Sequence, residues 1–297
     1  MPELPEVETV KSVIAPQITG LKIKEICVRT PGIIAHPGPE KFVRRLTGQK
    51  VSGMSRRGKF LTIRTECGDR IVLHLRMTGC LLVTPGKAAE ECGEKDRKKY
   101  CEEYPEEKHT HLIFRLSEEK EGVQKELRFS DMRRFGRFWL LRDREEDTYT
   151  GMEKLGLEPE DKELTAEYLR AHFGRSRKAV KTCLLDQSVI AGIGNIYADE
   201  ILFTAGIHPA RPANSLLADE WESLAEVIPE RIAYFIEKNR ITPEEYLETK
   251  GQDYRNTPYL QAYGHEGERC PVCGNAFCRI VVGGRGSTCC PRCQKSG

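Results

Sequence analysis

The residues best suited to covalent chemistry stand at the start of the chain, which reads Met1-Pro2-Glu3-Leu4-Pro5-Glu6. Initiator methionine is readily removed before a small residue, and its removal would leave the secondary amine of Pro2 free beside the carboxylate of Glu3. An α-amino group has a pKa of roughly 8, so an appreciable fraction is neutral and nucleophilic near pH 7. Such an amine could attack a sugar aldehyde carbon and form a cationic iminium. The alternative interpretation is an ordinary helix start, since prolines and acidic residues both favour a first helical turn.

Four cysteines near the other end of the sequence have the spacing of a metal site. They form two CxxC pairs with sixteen residues between them: Cys270 and Cys273, then Cys290 and Cys293. This pattern is typical of two zinc knuckles that bind one tetrahedral ion. Four protein ligands leave no open coordination position, so we expect a structural zinc. Cys278 and Cys289 fall outside the spacing, although Cys289 could compete with Cys290 for the metal.

Positive charge is concentrated in three short clusters and one predicted β-hairpin. The clusters are Arg56-Arg57-Gly58-Lys59, Arg133-Arg134-Phe135-Gly136-Arg137 and the segment from Arg175 to Lys181, which includes Arg177. The hairpin, Val281 to Thr288, places Arg285 on an exposed tip suited to a phosphate contact. Any one cluster would fit an ordinary solvated face, but four basic elements beside a zinc ribbon favour nucleic-acid binding. Phe135 and Met77 could either wedge into a base stack or pack in a core.

The elements that must position these residues fall into two halves of different character. After an amphipathic helix that ends near Gly20, short period-2 or β-branched runs predict a β-sandwich or barrel. These runs are Lys22 to Arg29, Lys50 to Met54, Phe60 to Arg64, Arg70 to Leu75, Cys80 to Val83, His111 to Leu116, Glu126 to Phe129 and Gly136 to Leu141. From about Gly151 the pattern is helical, with candidates at Thr165 to Phe173, Arg177 to Asp186, Asn195 to Thr204, Asp219 to Lys238 and Pro243 to Glu248.

A glycine-containing turn, Ser188 to Gly194, precedes one of these predicted helices. Asn195 is a good N-cap residue there, and bare amides at a helix start suit a phosphate. The segment Gly86 to Lys108 carries mixed charge and almost no aliphatic residues, so we interpret it as a solvated insertion without an assigned function.

Bulk composition narrows the class of protein. A length of 297 residues suggests two domains at about 150 residues each. No hydrophobic run approaches the roughly 18 residues of a membrane span, so we expect a soluble, intracellular protein in which disulfides are not the default use of its 12 cysteines. A net charge of +2 argues neither for nor against an anionic partner.

Taken together, these motifs resemble the formamidopyrimidine-DNA glycosylase family of bacterial base-excision repair enzymes. The resemblance spans nearly the whole chain and rests on the order of its motifs. Because Phe135, Met77 and the glycine turn belong to these motifs, the resemblance implies that they are functional. The motifs are the segment from Pro2 to Thr9, Arg57 to Leu61, His74 to Gly79, Lys108 to His111, Asp131 to Gly136, Gly192 to Ala198 and the zinc ribbon.

The resemblance implies an α+β multidomain fold. We expect an N-terminal β-sandwich with flanking helices over 1–145, which contains the insertion 86–108. A helical domain with a helix-two-turn-helix motif would cover 151–262, and a C-terminal β-hairpin zinc finger would cover 263–297. The implied partner is damaged double-stranded DNA, and no membrane is involved. The protein would be a monomer with one structural Zn²⁺ and no redox or organic cofactor. Its implied location is the bacterial cytoplasm, where it would associate with the nucleoid through DNA.

The resemblance also implies roles for single residues. Processed Pro2 would attack C1′ of the damaged nucleotide, with Glu3 as proton donor, Lys59 assisting β-elimination and Arg285 assisting δ-elimination. Met77, Arg133 and Phe135 would fill the gap left by the flipped-out nucleotide. The remaining implied DNA contacts are His109, Arg177, Asn195 and Tyr263, together with Lys181, which matches a lysine associated with oxidised guanine.

The preferred lesion stays open between formamidopyrimidine, 8-oxoguanine and oxidised pyrimidines, as does the preferred opposite base. The segment Gly251 to Leu260 departs from the Gly-Pro-Gly loop that closes over 8-oxoguanine in many relatives, whereas Lys181 favours oxidised guanine. One alternative is an endonuclease VIII-like glycosylase for oxidised pyrimidines, against which Leu4 and the intact Arg133-Arg134-Phe135 argue. Another is a zinc-ribbon DNA-binding protein without catalysis, against which the intact Pro2, Glu3 and Lys59 argue, because a binding module has no need of a free N-terminal proline.

Overall fold

The computed structural model of the chain describes residues 2–86, 108–118, 124–251 and 254–295. The described residues form two compact units. The first comprises Met1–Pro2, Glu6–Glu153 and Ile241–Tyr254, and the second comprises Glu3–Pro5, Lys154–Arg240 and Arg255–Gly297. Apart from its two end residues, the predicted insertion 86–108 lies outside the described residues. The domain limits that we drew from the sequence stay a prediction.

Nine described strands form two sheets in the first unit. They are β1 (Lys22–Val28), β2 (Ile34–His36), β3 (Val51–Arg57), β4 (Phe60–Thr65), β5 (Arg70–His74), β6 (Gly79–Pro85), β7 (Thr110–Ser117), β8 (Gln124–Asp131) and β9 (Arg137–Leu141). One sheet has the antiparallel order β1-β7-β8-β6, and the other has the order β2-β9-β5-β4-β3, in which β2 and β9 are parallel. Buried side chains from both sheets, such as Leu61, Leu81, Phe129 and Phe138, share one core. The predicted β-sandwich is therefore confirmed.

Three helices accompany this sandwich: α1 (Leu4–Ile18), α2 (Pro39–Leu46) and a late helix, Pro243–Glu248, that becomes α7 in chain order. Helix α1 buries Val7, Val10 and Ile14, which lie on one helical face at i, i+3 and i+7. The sequence patterns did not indicate α2, an eight-residue helix with proline at its first position.

The second unit is helical and ends in a β-hairpin. Its helices are α3 (Ala166–Phe173), α4 (Val180–Leu184), α5 (Asn195–Thr204) and α6 (Ala218–Lys238), and they share an apolar core that contains Leu169, Ile201, Leu224 and Phe235. Helix α4 is shorter than the predicted Arg177 to Asp186. No helix in the described ranges is long and apolar enough to cross a membrane.

The predicted hairpin is confirmed as β10 (Cys278–Val282) and β11 (Arg285–Cys289). A two-residue turn joins the strands, and its residues Gly283 and Gly284 have φ angles of 56° and 76°. Such turns match the twist of antiparallel strands but require positive φ at both positions, which glycine adopts without strain. The turn leaves Arg285 exposed at the first position of β11.

Candidate active site and metal centre

Pro2 is buried in the wall of a cavity of about 280 Å³ in the first unit. Two further predicted site residues, Met77 and His109, line the same cavity. The other lining residues are Thr78, Gly79, Cys80, Ser130, Asp131, Met132, Lys250, Gly251 and Tyr254. The cavity therefore places the proposed nucleophile beside a mixed polar and apolar surface of a size suited to a single nucleobase.

The buried carboxylate of Asp131, at the end of β8, organises the turn that follows it. One oxygen accepts hydrogen bonds from the Thr78 hydroxyl and from the backbone N–H of Arg133 (3.1 Å), and the other accepts from the N–H of Gly136 (2.7 Å). A Cβ atom at Gly136 would lie 2.4 Å from the ring of Phe129, so the turn requires glycine there. Asp131 thus fixes the backbone that carries the predicted Arg133 and Phe135.

The apolar side chains around the cavity are exposed. Met77 is 40% and Phe135 48% exposed, which excludes the core-packing interpretation of both residues. The Arg133 guanidinium lies 4.7 Å from the centre of the Phe135 ring, a cation–π contact that orders both side chains. Met132 is 65% exposed and lines the cavity, but a methionine next to a strand end gave no signal of its own in the sequence.

Lys59 lies in the two-residue turn between β3 and β4, after Gly58, whose φ is 53°. The next residue, Phe60, pairs in register with His74, and their rings meet edge to face at 4.7 Å. Burial, followed by the charges of Arg76 and Lys59, lowers the pKa of His74 to about 3. Its Nδ1 atom accepts a hydrogen bond from the backbone N–H of Arg76 (2.9 Å), so a neutral imidazole stands near the Lys59 ammonium.

One wall of the cavity comes from the segment that departs from the family's loop. The Cys80 thiol donates to the carbonyl oxygen of Lys250 (3.3 Å), and Gly251 has a φ of 63°. A Cβ atom at Gly251 would lie 2.6 Å from the Cys80 sulfur and 2.7 Å from the Tyr246 hydroxyl. Burial raises the pKa of Tyr254, so its phenol stays protonated. The sequence did not predict this contact between Cys80 and Lys250, because the two residues are distant in sequence.

Glu3 serves as a helix cap in the second unit. Its carboxylate is 2% exposed and accepts hydrogen bonds from the backbone N–H groups of Ile196 (3.1 Å) and Tyr197 (3.3 Å), in the first turn of α5. The positive end of the helix dipole favours a carboxylate at this place. The predicted N-cap role of Asn195 is wrong: Gly194 is the N-cap residue, and a Cβ there would lie 2.2 Å from the Glu3 carboxyl carbon.

The glycine turn before α5 holds the N-terminal segment. The N–H of Leu4 donates to the carbonyl oxygen of Gly192 (3.2 Å). Gly192 has a φ of 89°, and a Cβ there would lie 2.4 Å from the Leu4 side chain. Of the amides at the start of α5, those of Ile196 and Tyr197 bind the carboxylate of Glu3, and the phosphate site stays a prediction. The glycines therefore allow residues 3 and 4 to approach the start of α5.

Lys181 is fully enclosed and lies on α4. Its ammonium donates to Asp199 (2.7 Å) and to the Ser287 hydroxyl (2.7 Å), and the second oxygen of Asp199 accepts from the N–H of Thr288 (3.0 Å). Burial lowers the pKa of Lys181 and raises the pKa of Asp199 to about 6. These contacts tie α4 and α5 to β11. The geometry suits a residue that positions the hairpin, whereas the implied DNA contact of Lys181 stays a prediction.

Asn195 supports the same hairpin. Its side-chain amide donates to the carbonyl oxygen of Gly286 (3.1 Å), directly after Arg285. The charge of Arg285 also contributes to the lowered pKa of Lys181. The structure therefore brings Glu3, Asn195, Lys181 and the base of the Arg285 tip together around the start of α5.

Arg177 and Tyr263 lie elsewhere in the second unit. Arg177 is exposed in the segment between α3 and α4. Tyr263 is half-buried, and its backbone is fixed by the carboxylate of Glu200, which accepts from the N–H groups of Gln261, Ala262 and Tyr263 at 2.9–3.1 Å. Glu200 was not found from the sequence, because the three amides that it binds lie 61–63 residues later in the chain.

The four cysteines of the two CxxC pairs converge on one point. Their sulfurs all lie within 4.8 Å of one another. Two sulfurs of a tetrahedral zinc ion with Zn–S bonds of about 2.3 Å would be about 3.8 Å apart, and the Cys270 and Cys293 sulfurs are 3.8 Å apart. The donor set fits one structural zinc, as predicted.

Cys289 lies outside this centre. Its sulfur is 3.4 Å from the sulfur of Cys278, its partner across the hairpin. Cys290, in contrast, belongs to the converging group and lies 3.4 Å from Cys273. The geometry thus favours Cys290 as the fourth ligand.

Comparisons with known proteins agree along the whole chain. Residues 1–138 match the formamidopyrimidine-DNA glycosylase N-terminal domain, residues 155–245 match the H2TH domain of the same enzymes, and residues 267–295 match a zinc finger found in FPG and IleRS. The chain is 40% identical to the formamidopyrimidine-DNA glycosylase of Lactobacillus acidophilus and 39% identical to that of Pelotomaculum thermopropionicum. Each alignment covers 99% of both chains.

Solved structures show the same similarity. A complex of Lactococcus lactis Fpg with DNA that contains an abasic site matches with a TM-score of 0.83 and 32% identity. A complex of that protein with DNA that contains FAPY-dG matches with a TM-score of 0.83 and 33% identity. Both matches cover 99% of this chain and all of the other.

Proposed function

The chain belongs to the formamidopyrimidine-DNA glycosylase family, and on this premise we propose that it excises oxidised purines from duplex DNA and then cleaves the strand. The relatives supply the substrate class, since one of them is solved with FAPY-dG and another, MutM, with carbocyclic 8-oxo-G in DNA. Such an enzyme would act on the bacterial chromosome. The observation that carries the proposal is the position of Pro2 in the wall of a cavity of nucleobase size.

The reaction would begin when the amine of Pro2, freed by removal of Met1, attacks C1′ of the damaged nucleotide. The C1′–N bond breaks, the base leaves, and an iminium joins Pro2 to the opened sugar. Because this cation draws electrons from C2′, a C2′ proton becomes acidic and the 3′-phosphate can be eliminated. One nucleophile therefore serves both the glycosylase and the lyase steps.

Glu3 follows Pro2 directly in the chain and is assigned the proton transfers. Its carboxylate is held by the Ile196 and Tyr197 amides and cannot rotate freely. An anchored carboxylate can accept the proton that the attacking amine loses and return it to the opening sugar or the leaving base. Because the two hydrogen bonds already hold the carboxylate in one conformation, little side-chain entropy is lost when the reaction begins.

Lys59 and Arg285 are assigned the later eliminations and the DNA phosphates. Lys59 stands in a tight turn near neutral His74, so that neighbour adds no second positive charge beside its ammonium. Arg285 stands at the tip of a hairpin whose base is tied to Lys181 and Asn195. Guanidinium and ammonium groups on rigid turns are suited to stabilise the negative charge of a departing phosphate.

A duplex hides both C1′ and the damaged base, so the target nucleotide must leave the stack. Met77 lines the cavity and is exposed, Phe135 is exposed in the turn that follows Asp131, and Arg133 is stacked on Phe135. These three residues are suited to occupy the vacated space and keep the stack closed behind the extruded nucleotide. Zinc, bound by the four cysteines, would supply structural stability to the hairpin that carries Arg285.

The experiment that tests the proposal is borohydride trapping on DNA with an abasic site. Protein from which Met1 has been removed should form a covalent adduct, and Pro2→Gly should greatly weaken trapping. Glu3→Gln should suppress base excision. DNA binding by the wild-type protein without any adduct would instead support the zinc-ribbon binding protein without catalysis.

The preferred lesion requires a separate comparison of excision from matched duplexes. We expect formamidopyrimidine to be removed, and 8-oxoguanine and dihydrouracil complete the panel. The dihydrouracil arm has a specific reason, because Lactococcus lactis Fpg is also solved with DNA that contains an oxidised pyrimidine. Preference for dihydrouracil would favour the endonuclease VIII-like alternative, in which the wall formed by Cys80, Gly251 and Tyr254 selects a smaller base.

A further inference from the structure

Two cysteines outside the metal centre face each other across the zinc-ribbon hairpin. Cys278 on β10 and Cys289 on β11 are directly opposite in the antiparallel register. Their sulfurs are 3.4 Å apart, the same separation as between the metal ligands Cys273 and Cys290. Directly opposed antiparallel residues have Cα atoms about 4.5–5.5 Å apart, within the range that a disulfide requires. A small side-chain adjustment would therefore bring the two sulfurs to bonding distance.

The two thiols differ in access. Cys289 is fully buried, whereas Cys278 is half-buried on the same edge of the hairpin. A small oxidant from solvent therefore meets Cys278 first, with Cys289 directly behind it. This is the arrangement of a reactive thiol with a resolving partner.

His208 distinguishes a redox pair from a second metal site. Its Nε2 atom lies 3.7 Å from the Cys289 sulfur, and its Nδ1 atom accepts a hydrogen bond from the backbone N–H of Ala210 (3.3 Å). Burial lowers the pKa of His208, so the ring is neutral at pH 7. A neutral ring that accepts at Nδ1 carries its proton on Nε2. The Nε2 atom that faces the Cys289 sulfur is therefore a hydrogen-bond donor. It has no free lone pair with which to bind a metal ion shared with that sulfur.

We propose that Cys278 and Cys289 are a redox-active dithiol, which a peroxide converts into a cross-strand disulfide while the zinc centre stays intact. The Cys278 sulfur first attacks one oxygen of hydrogen peroxide; the O–O bond breaks, Cys278 becomes a sulfenic acid and one water leaves. The Cys289 sulfur then displaces the hydroxyl from Cys278, which leaves as a second water. Two thiols lose two electrons and two protons, and the peroxide is reduced to two waters.

The disulfide would join the strand ends opposite the Gly283-Gly284 turn. It would fix the register of the hairpin from its open end, while Lys181 and Asn195 already fix the side near Arg285. The proposal does not depend on the proposed function, since neither the chemistry nor its test involves DNA.

The test uses the full-length, zinc-loaded, reduced protein. After treatment with hydrogen peroxide, free thiols are blocked with N-ethylmaleimide and the protein is digested with trypsin. Cleavage after Arg269, Arg279, Arg285 and Arg292 leaves the linked cysteines on peptides 270–279 and 286–292. Zinc released by the peroxide is measured in the same samples with a colorimetric chelator.

Because both peptides also contain metal ligands, variants identify the bond. Cys278→Ala removes the half-buried thiol, and Cys67→Ala is the matched control at an exposed cysteine. We expect the linked peptide in the wild type and in Cys67→Ala, with zinc retained, reversal by dithiothreitol and loss of the link in Cys278→Ala. A link that persists in Cys278→Ala, zinc release before any link forms, or two zinc ions per untreated chain would overturn the proposal.

Discussion

Substitution of Gly194 by alanine tests the assignment of Glu3 most directly, because it moves the carboxylate without changing it. A Cβ atom at this position would lie 2.2 Å from the Glu3 carboxyl carbon, far inside van der Waals contact. The backbone at the start of α5 is fixed, so the flexible side chain must move. Glu3 would then lose its hydrogen bonds to the Ile196 and Tyr197 amides.

The magnitude follows from these two bonds. Hydrogen bonds to a charged group contribute about 1.5–3 kcal/mol each, so the two together amount to about 3–6 kcal/mol. Hydrogen bonds from water to the displaced carboxylate would compensate for part of this lost free energy. We therefore expect the free energy of unfolding to fall by roughly 3 kcal/mol. A proton-transfer group out of place should slow base excision by roughly 10²–10⁴-fold. Trapping on an abasic site needs the Pro2 amine but no base departure and should change much less.

The assay is single-turnover excision from a formamidopyrimidine duplex, with borohydride trapping and urea unfolding on the same samples. Gly53→Ala is the matched control, because a Cβ atom there meets nothing within 4 Å. Since Gly194→Ala acts through Glu3, adding it to Glu3→Gln should slow excision little further. A folded Gly194→Ala variant with the wild-type excision rate, or additive effects in the double variant, would refute the role of this anchor.

Three further predictions concern stability and zinc. Because the pKa of His74 is about 3 in the folded protein and about 6.5 for an unperturbed histidine, the folded state binds fewer protons than the unfolded state between these values. The free energy of unfolding should therefore fall as pH falls from 6.5 towards 3, by up to about 5 kcal/mol, and urea unfolding of His74→Gln should show a shallower decline. Asp199→Ala leaves the enclosed Lys181 ammonium without its carboxylate and should cost about 3–5 kcal/mol in the same assay, whereas the double variant K181M/D199L should lose much less. Cys290→Ser should abolish zinc binding, measured by atomic absorption, while Cys289→Ser should keep one zinc per chain; the reverse result would make Cys289 the ligand.

Local patterns predicted the elements well where one face of an element is apolar. Helix α5 and helix α7 begin and end at the predicted residues; a glycine turn precedes α5, and Thr242 caps α7, which has proline at its first position. Helix α2 was missed since its buried residues, Phe42 and Leu46, are only two among basic and acidic neighbours. Strand β2 was missed because three residues are too few to show an alternating pattern.

The candidate site was less predictable, because its contacts join residues that are far apart in sequence. Asn195 has the chemistry of a helix cap, but Glu3 supplies the cap from almost two hundred residues away. Lys181 lies in a basic cluster, yet Asp199 and Ser287 enclose its ammonium. Charge along the sequence therefore overstated the surface available to DNA. Exposure of Met77 and Phe135, in contrast, was implied by the family's motifs and not by periodicity.

The helix-start and nucleophile interpretations of the first six residues describe one arrangement. Helix α1 begins at Leu4, whose N–H is bound by Gly192, and Glu3 is held through its carboxylate. The backbone on the C-terminal side of Pro2 is therefore fixed by two consecutive residues. The proline ring fixes φ of Pro2, and the two anchored residues that follow fix the chain to which the amine is attached. Glycine at positions 192 and 194 is then a requirement of the N-terminal segment, because a Cβ atom at Gly192 would lie 2.4 Å from the Leu4 side chain and one at Gly194 would lie 2.2 Å from the Glu3 carboxyl carbon.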